Sequence, residues 1–468
     1  MSTLTLPRRP GPLNLAPQRQ WQAARPAVTE RGLDWLDCAL VCLFLIGLYT
    51  NFTIQISAKV PFPSAPSGIA GLVLLWRRRN RISVKPLAWF LLVVALYLTS
   101  MLSADDITYL NRRTNGLIQL TYSLTIGYAL FLTVTQARRS QIGTLFLVFA
   151  LVIVVGCLLE AYGGLRPISD AVRKAIYSHG VYENDLRDVL LYRRVRPKFF
   201  ASEPSSVTFC YALLCFLWMV ISRWRWKLVL YVGLVALGLF AMPGPTLLLM
   251  LVLLLPYMLC LASRRRGRLD VGRLLLVGCV SLAALAAFAV LAEMLFPERL
   301  KDILSGNDPS FFYRVLGPGM AGVDIVKHFP FAGAGLTGEP FIEERVTNLY
   351  VQSPAYSAHW EVVSPATELL INYFWLHWVY LGLVWGLILF VALSMWLRAL
   401  HVPSIAFVWI SWAILGQASG AYVGPTCWAV FFLTGAAATL YQRGEQPAYL
   451  YGERRAPRWP PRLRLLRT

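Results

Sequence analysis

The sequence contains few charged residues: Asp, Glu, Lys and Arg make up 15% of its 468 residues. A soluble globular domain carries roughly 25% charged residues, so this composition does not fit one. Hydrophobic residues make up 57%, and many apolar runs approach the ~20 residues that a helix needs to cross a bilayer. The composition therefore predicts a membrane protein that crosses the bilayer several times.

Cysteine and acidic residues give no sign of a metal site or a disulfide framework. The eight cysteines all lie in or beside apolar runs without metal-ligand spacing, so we interpret them as small hydrophobic residues. The acidic pairs at 105–106 and 343–344 lack partners at ligand spacing. We therefore expect no metal and no cofactor.

Acidic residues are also scarce relative to basic ones, which gives a net charge of +20. Basic surfaces can bind the phosphates of nucleic acid. The Arg clusters of this chain, however, lie at the ends of apolar runs, where the positive-inside rule accounts for them. We expect membrane lipid, and no nucleic acid, as a partner.

The apolar runs predict an all-α, polytopic membrane protein with about twelve transmembrane helices. They fall at about 35–55, 62–76, 86–102, 114–135, 141–160, 204–221, 228–242, 245–262, 272–295, 377–397, 403–420 and 424–441. No early segment carries a small-residue cleavage site ahead of a soluble body, so the first helix is expected to be an uncleaved start.

The basic connections predict the orientation. With the N-terminus inside, the cytoplasmic connections include RRRNR, QARRS, SRWRWK and SRRRGR, each rich in Arg or Lys. Both termini are then cytoplasmic, with a disordered basic tail at 1–31, a transmembrane domain at 32–441 and a basic tail at 442–468. Two long segments, 161–203 and 296–363, fall on the outer side, where we expect short interfacial helices and the function.

The first outer segment concentrates cations near the membrane. They are Arg173, Lys174, Arg187, Arg193, Arg194, Arg196 and Lys198. A guanidinium suits phosphate and pyrophosphate groups, and such pairs strengthen near a low-dielectric boundary. The segment predicts either a clamp for a lipid-linked pyrophosphate or acidic glycan, or an anchor for lipid headgroups.

One acid, Glu203, lies between this segment and the next apolar run. Pro204 suits the first turn of a helix, which makes Ser202 the predicted N-cap and turns Glu203 toward the positive helix end. Glu203 either only caps the helix or works beside Arg196 and Lys198. In the second case it is a general base or the residue that orients a catalytic arginine.

The second outer segment places Arg314 on an amphipathic helix that leads into a Gly-rich run at 333–338. Glycines allow close approach of the backbone to a ligand or to a neighbouring helix. The run lacks the Lys-Ser/Thr pair of a phosphate loop. A bare turn is the alternative.

Two histidines and one acid follow the Gly-rich run. An outer His359 is a candidate general base for a sugar hydroxyl, because an unperturbed imidazole titrates near neutral pH. His377 lies among aromatic residues and is interpreted as structural. Glu368 is a second acid at the membrane mouth.

Three stretches resemble the O-antigen polymerase and ligase superfamily of bacterial inner-membrane glycosyltransferases, the Wzy and WaaL type. The first is FFASEPSSVTF at 199–209, similar to the Ser-Glu-Pro-Ser element that opens a central span in exopolysaccharide polymerases. The second is YRVLGPGMAGVDIVKHFPFAGAGLTG at 313–338, similar to the pattern of the large outer loop. The third, at 367–390, looks like the Glu-Leu-Leu and Gly-rich span that follows it.

The resemblance implies a GT-C-like fold in the bacterial inner membrane that joins glycan units carried on undecaprenyl pyrophosphate. Outer arginines would hold the pyrophosphate while the new bond forms with inversion, without metal or nucleotide sugar. It also implies a chain-length regulator and a flippase as partners. The catalytic residues predicted in this way are Glu203, Arg314 and His359, and the pyrophosphate or glycan ligands are Arg193, Arg194, Arg196, Lys198 and Arg314.

Other functions stay open at this point. Ligases of the family usually carry a His-Asn pair where this chain has Ser364 and Pro365, so the resemblance favours a polymerase over a ligase. The rival from another class is a transporter, including a flippase for lipid-linked oligosaccharides. Span interiors that are almost free of charge favour an enzyme at the outer face. A scaffold of a polysaccharide-synthesis complex is the third alternative.

Overall fold

The computed structural model describes residues 32–57, 60–177, 182–183, 185–265, 268–269, 308–353 and 365–445, and 297–305 with scattered positions between 271 and 294. Most of these residues are helical. The helices are α1 (Trp35–Thr50), α2 (Ala65–Arg77), α3 (Val84–Leu102), α4 (Leu110–Gln136), α5 (Arg139–Tyr162), α6 (Arg166–Ile176), α7 (Asp185–Tyr192), α8 (Pro204–Ile221), α9 (Lys227–Ala241), α10 (Thr246–Ala262), α11 (Pro297–Leu304), α12 (Gly317–His328), α13 (Glu343–Val351), α14 (Ala366–Leu369), α15 (Tyr373–Ala399), α16 (Ile405–Gly416) and α17 (Pro425–Glu445). A π-helical turn, Phe312–Leu316, precedes α12.

Five helical stretches in the described part of the chain are long and apolar enough to cross a membrane: α3, 107–136, α5, α8 and α15. Four shorter helices, α1, α9, α10 and α16, are apolar as well. The predicted helical fold is confirmed, and these helices mark the chain as a membrane protein by length and composition. The number of twelve crossings stays a prediction, because the span expected at 272–295 lies largely outside the described residues.

Helix α8 lies at the centre of the bundle. It packs against α1, α5, α9 and α17, and α17 packs in turn along α4. Within α8, 89% of the span window is buried, compared with 28% for α3. Helices on several sides therefore fix the position of whatever lies at the N-terminus of α8.

Charged contacts hold together the end of the bundle at which the described chain begins and ends, the terminal end. Arg139 at the start of α5 donates to the carbonyl of Ile221 at the end of α8 and to that of Tyr441 in α17 at 3.2 Å. Arg77 donates to the buried Asp37 of α1 at 2.8 Å. The connections predicted to share one side of the membrane thus meet at one end. The opposite end, where the described residues of 163–203 and 308–372 lie, is the loop end.

Local features differ from the sequence-based expectation. Two short antiparallel hairpins interrupt the helical fold, Ile54–Ser57 with Val60–Phe62 and Arg264–Arg265 with Arg268–Leu269. Helix α10 is broken into 3₁₀, α and π pieces. The last helix continues to Glu445, beyond the predicted boundary at 441, because Arg443 in its last turn donates to the carbonyl of Thr135 on α4.

The Gly-rich run packs against a neighbouring helix, one of the two roles predicted for it. Helix α15 is kinked at Gly382, whose φ of 63° is left-handed. The amides of Leu383 and Val384, beyond the kink, donate to the carbonyl of Pro330 at 2.8 and 3.0 Å. A Cβ added at Gly333 would lie 2.6 Å from the amide nitrogen of Gly382. The two glycines therefore let the loop backbone lie directly on the kink.

Replacing Gly333 with Ala is expected to destabilise the protein by about 1–3 kcal/mol, because the new methyl meets backbone and the residue has positive φ. The control is Gly233→Ala on α9, where a Cβ has nothing within 4 Å and Ala favours the helix. Thermal unfolding of both purified variants in detergent measures the difference. Equal midpoints for wild type and Gly333→Ala would contradict the proposed contact.

Candidate functional site

A cavity of about 220 Å³ lies at the loop end, beside the first turn of α8. Its wall comes from α7, the connection before α8, the turn before α10 and the π turn before α12. The lining residues are Tyr182, Arg187, Leu191, Tyr192, Arg196, Glu203, Pro204, Ser205, Thr208, Gly244, Thr246, Ser310, Tyr313, Arg314 and Ile371. Three predicted site residues from the two outer segments, Arg196, Glu203 and Arg314, therefore meet in one cavity.

Side chains from three helices hold the backbone that leads into α8. The carboxylate of Glu160 on α5 accepts from the backbone amides of Lys198, at 2.9 Å, and Phe199. The hydroxyl of Tyr49 on α1 donates to the carbonyl of Phe199 at 2.6 Å. The guanidinium of Arg173 on α6 donates to the carbonyls of Ala201 at 2.8 Å and Ser202 at 2.9 Å. Phe199 and Phe200 adopt positive φ values of 34° and 65°, which are uncommon for bulky residues. The hydrogen bonds from three helices hold this backbone in one conformation, and that conformation fixes the direction in which α8 starts.

Glu203 occupies the N-cap position itself, with φ of −145° and ψ of 155°, and its side chain makes no capping hydrogen bond. The prediction of Ser202 as N-cap was therefore wrong by one residue, because Arg173 binds the carbonyl of Ser202 and holds it outside the helix. Pro204 lies at the first helical position, as predicted. The half-buried carboxylate of Glu203 accepts from the hydroxyl of Ser205 and faces the cavity.

Arg314 lies in the π-helical turn before α12 rather than on a regular α-helix. The side chain amide of Asn372 donates to its backbone carbonyl at 2.7 Å, which fixes the turn. Burial lowers the pKa of the Arg314 guanidinium, and the carboxylate of Glu203 opposes this effect. Among the described residues, no carboxylate oxygen lies within ion-pair distance of this guanidinium.

A buried carboxylate orients Arg196. Asp188 on α7 is fully buried and accepts from Nε of Arg196 at 2.8 Å and from the hydroxyl of Tyr182 at 2.8 Å. Burial raises the pKa of Tyr182, so its hydroxyl stays protonated at neutral pH. The guanidinium carbon of Arg196 also lies 4.8 Å from the ring centre of Tyr192, a cation–π distance. The side chain is held from several directions while it lines the cavity.

Sequence reasoning missed part of this site. It grouped Arg187 with the other cations without assigning it a role, and it did not single out Asp188 or the three tyrosines of the cavity wall, Tyr182, Tyr192 and Tyr313. One signal was present: Asp185, Asp188 and Tyr192 follow the spacing of one helical face. That pattern predicts a helix, but it does not tell which arginine the buried acid binds.

The structure places the other predicted cationic ligands outside the cavity lining. Arg193 is exposed to solvent. Arg194 donates to the hydroxyl of Tyr162 and to the carbonyl of Phe240, which ties the segment to α5 and α9. Lys198 is buried and pairs with Asp185 at 2.8 Å. Arg194 and Lys198 therefore tie this segment to neighbouring helices.

Of the two predicted histidines and the second acid, His377 and Glu368 lie away from the cavity lining. His359 lies outside the described residues. His377 is buried in the bundle, with its Nδ1 2.9 Å from the hydroxyl of Tyr422 and its Nε2 3.1 Å from the carbonyl of Gly386. This agrees with its structural interpretation. Glu368 is exposed and does not line the cavity. Within the described ranges, no three His, Cys, Asp or Glu side chains come together as a metal site.

The loss of Asp188 should destabilise the protein strongly, because it leaves the largely buried Arg196 unpaired. We expect Asp188→Asn to lower the free energy of unfolding by about 3 kcal/mol, measured by thermal unfolding in detergent. The control is Asp34→Asn, because the Asp34 side chain is 54% exposed and its partner Arg77 keeps a second carboxylate, Asp37. The ion pair of Asp34 therefore contributes about 1 kcal/mol or less. Equal losses in the two variants would contradict the assigned role of Asp188.

The chain was compared with family models, curated proteins and solved structures, and none of the three comparisons gives a match.

Proposed function

We propose that this protein polymerises glycan units carried on undecaprenyl pyrophosphate, at the periplasmic face of a bacterial inner membrane. The observation that carries the proposal is the cavity at the start of α8. Arg187, Arg196 and Arg314 line it together with one carboxylate, Glu203. The resemblance of 199–209 and 313–338 to the polymerase and ligase superfamily supports the same reaction.

The charge of the cavity suits a pyrophosphate. Three guanidinium groups and one carboxylate, Glu203, line the cavity, and Asp188 behind the lining balances Arg196. This leaves an excess of one positive charge in a partly buried space. Arginine binds phosphate oxygens through two parallel hydrogen bonds, and such bonds strengthen where water is excluded. A bound pyrophosphate would supply the negative charge that balances this excess.

The reaction follows from the same groups. In the proposed step the acceptor hydroxyl attacks the anomeric carbon, the bond from that carbon to the pyrophosphate oxygen breaks, and the leaving pyrophosphate carries the electron pair. The arginines stabilise the charge that develops on the leaving group. Glu203 is the lining carboxylate, so it takes the hydroxyl proton; its charge also opposes the effect of burial on Arg314.

The position of the cavity favours an enzyme over a transporter. Transporters bind their substrate near the middle of the membrane between repeats, whereas this cavity lies at one end of the bundle. We assign the terminal end, with its basic connections, to the cytoplasm by the positive-inside rule. The loop end then faces the periplasm, where a lipid-linked substrate can present its headgroup.

Arg314→Ala is expected to lower the rate of polymer formation by about a hundredfold or more, because it removes charge stabilisation from the leaving group. Glu203→Gln is expected to lower it by at least about a hundredfold through loss of the base. The control is Arg193→Ala, which removes an exposed arginine from the segment before α8. Arg193 does not line the cavity. The rate of polymer formation from purified lipid-linked units, normalised to the amount of protein in the membrane, is measured for all three variants. Normal rates in both Arg314→Ala and Glu203→Gln would refute the site.

A deletion strain separates the proposed polymerase from a flippase. We expect lipid-linked single units to accumulate on the outer leaflet, because they are still flipped but no longer joined. Labelling of intact cells with a membrane-impermeant glycan probe measures their location. Accumulation on the inner leaflet alone would show a flippase instead.

A further inference from the structure

A second, larger recess lies at the loop end, in the groove between α12 and α13. Its volume is about 530 Å³, within the range of small-ligand sites. Two phenylalanine rings, Phe329 and Phe341, form its floor with centres 5.2 Å apart. Nothing in the proposed polymerisation site accounts for this groove.

The rim of the groove carries hydrogen-bonding side chains that the fold does not use. Glu344 and Asn348 lie one helical turn apart on α13, and Gln352 follows one turn later as the C-cap of this helix. All three are exposed. In the described part of the chain their side chains make no hydrogen bond. The opposite face of α13 is buried through Val346 and Tyr350. The helix therefore packs through one face and presents carboxylate and amide groups on the other.

An ion pair between α12 and α13 also lines the groove. Arg345 on α13 donates to the carboxylate of Asp324 on α12, at 3.2 Å for one of the two contacts. His328 Nδ1 also lies 3.3 Å from this carboxylate. The hydrogen bond from Arg345 lowers the pKa of Asp324. The pair is neutral in sum and keeps two planar polar groups in place on the rim.

The groove and the cavity differ in charge. In the groove lining, the charges of Asp324 and Arg345 cancel, and Glu344 leaves one net negative charge. The cavity lining instead contains three arginines and one carboxylate, Glu203. A phosphate-bearing ligand is therefore disfavoured in the groove. The phenylalanine rings of the groove suit the apolar ring faces of a sugar, and the amide and carboxylate groups on its rim suit the sugar hydroxyls.

We propose that the groove between α12 and α13 binds a short stretch of uncharged or amino-sugar oligosaccharide. A protein partner fits less well, because specific protein interfaces bury more than about 1,000 Å² of surface, whereas only nine residues line this recess. A saccharide that occupies the groove makes two to three hydrogen bonds to side chains of α13 and packs its ring faces on the two phenylalanines.

The groove and the cavity share structural elements. Asp324 lies on α12, and Arg314 lies on the π-helical turn that leads directly into this helix. Tyr350, on the back of α13, lies with its ring centre 6.3 Å from that of Tyr313, which lines the cavity. On the basis of the proposed function, we assign the groove to the part of the glycan that is already joined or is next to be joined, away from the reacting end.

Binding of lipid-free oligosaccharides tests the proposal without requiring catalysis. The probes are short oligosaccharides released by partial acid hydrolysis from the surface polysaccharide of the producing cells, separated into neutral or amino-sugar and phosphorylated fractions. Calorimetry or saturation-transfer NMR on the full-length protein in detergent measures the affinity. The double variant Asn348→Ala/Gln352→Ala changes only exposed side chains, so it is expected to fold. Lys327→Ala, an exposed residue of α12 outside the groove lining, is the control.

We expect wild type, Lys327→Ala and Arg314→Ala to bind the neutral or amino-sugar fraction alike, and the double variant to bind about tenfold more weakly through loss of two hydrogen bonds. No binding to wild type, unchanged binding in the double variant, or preference for the phosphorylated fraction would each overturn the proposal. Arg314→Ala keeps the two ideas separate. If it retains polymerisation, the proposed reaction site fails while groove binding is judged by its own result.

Discussion

The candidate site depends on how the backbone between Lys198 and Ser202 is satisfied. This stretch enters the bundle beside the most buried helix, where an unpaired amide or carbonyl would cost roughly 1–3 kcal/mol. Side chains of Tyr49, Glu160 and Arg173, from three different helices, bind its amides and carbonyls. The two phenylalanines keep their positive φ values because these contacts leave no alternative. The start of α8 and the position of Glu203 follow from this arrangement.

The same arrangement divides the arginines of the segment into two groups. Arg173 and Arg194 donate to backbone carbonyl oxygens, and Lys198 donates to Asp185, so these three hold the backbone in place from outside the cavity lining. Arg196 is oriented by Asp188 but still lines the cavity, and Arg314 reaches it from the other outer segment. A fixed wall with cations facing inward is what electrostatic preorganisation requires. The lining of the neighbouring groove between α12 and α13 carries one net negative charge instead.

Part of this could be predicted from the sequence. Apolar runs and Arg clusters predicted the long helices, and Pro204 marked the start of α8 to the residue. The resemblance of three short stretches to the polymerase and ligase superfamily implied that Arg196, Glu203 and Arg314 serve one site. These features depend on local chemistry or on pattern order, which a sequence contains directly.

Other features depend on contacts between distant segments. Arg194 donates to Tyr162 on α5 and to Phe240 on α9, and spacing along the chain does not show these acceptors. It also does not show which arginine Asp188 binds. Gly333 needs to be glycine because Gly382 kinks a helix that lies far along the chain. The hairpin at Ile54–Ser57 is too short to show a strand period of its own.

Binding of the lipid carrier tests the central claim most directly. Purified wild type and Arg314→Ala in detergent can be compared by native mass spectrometry for binding of undecaprenyl pyrophosphate and undecaprenyl monophosphate. The account predicts that wild type prefers the pyrophosphate, because three arginines have more oxygens to bind, and that Arg314→Ala loses this preference. Equal binding of both lipids by wild type, or an unchanged preference in the variant, would contradict it.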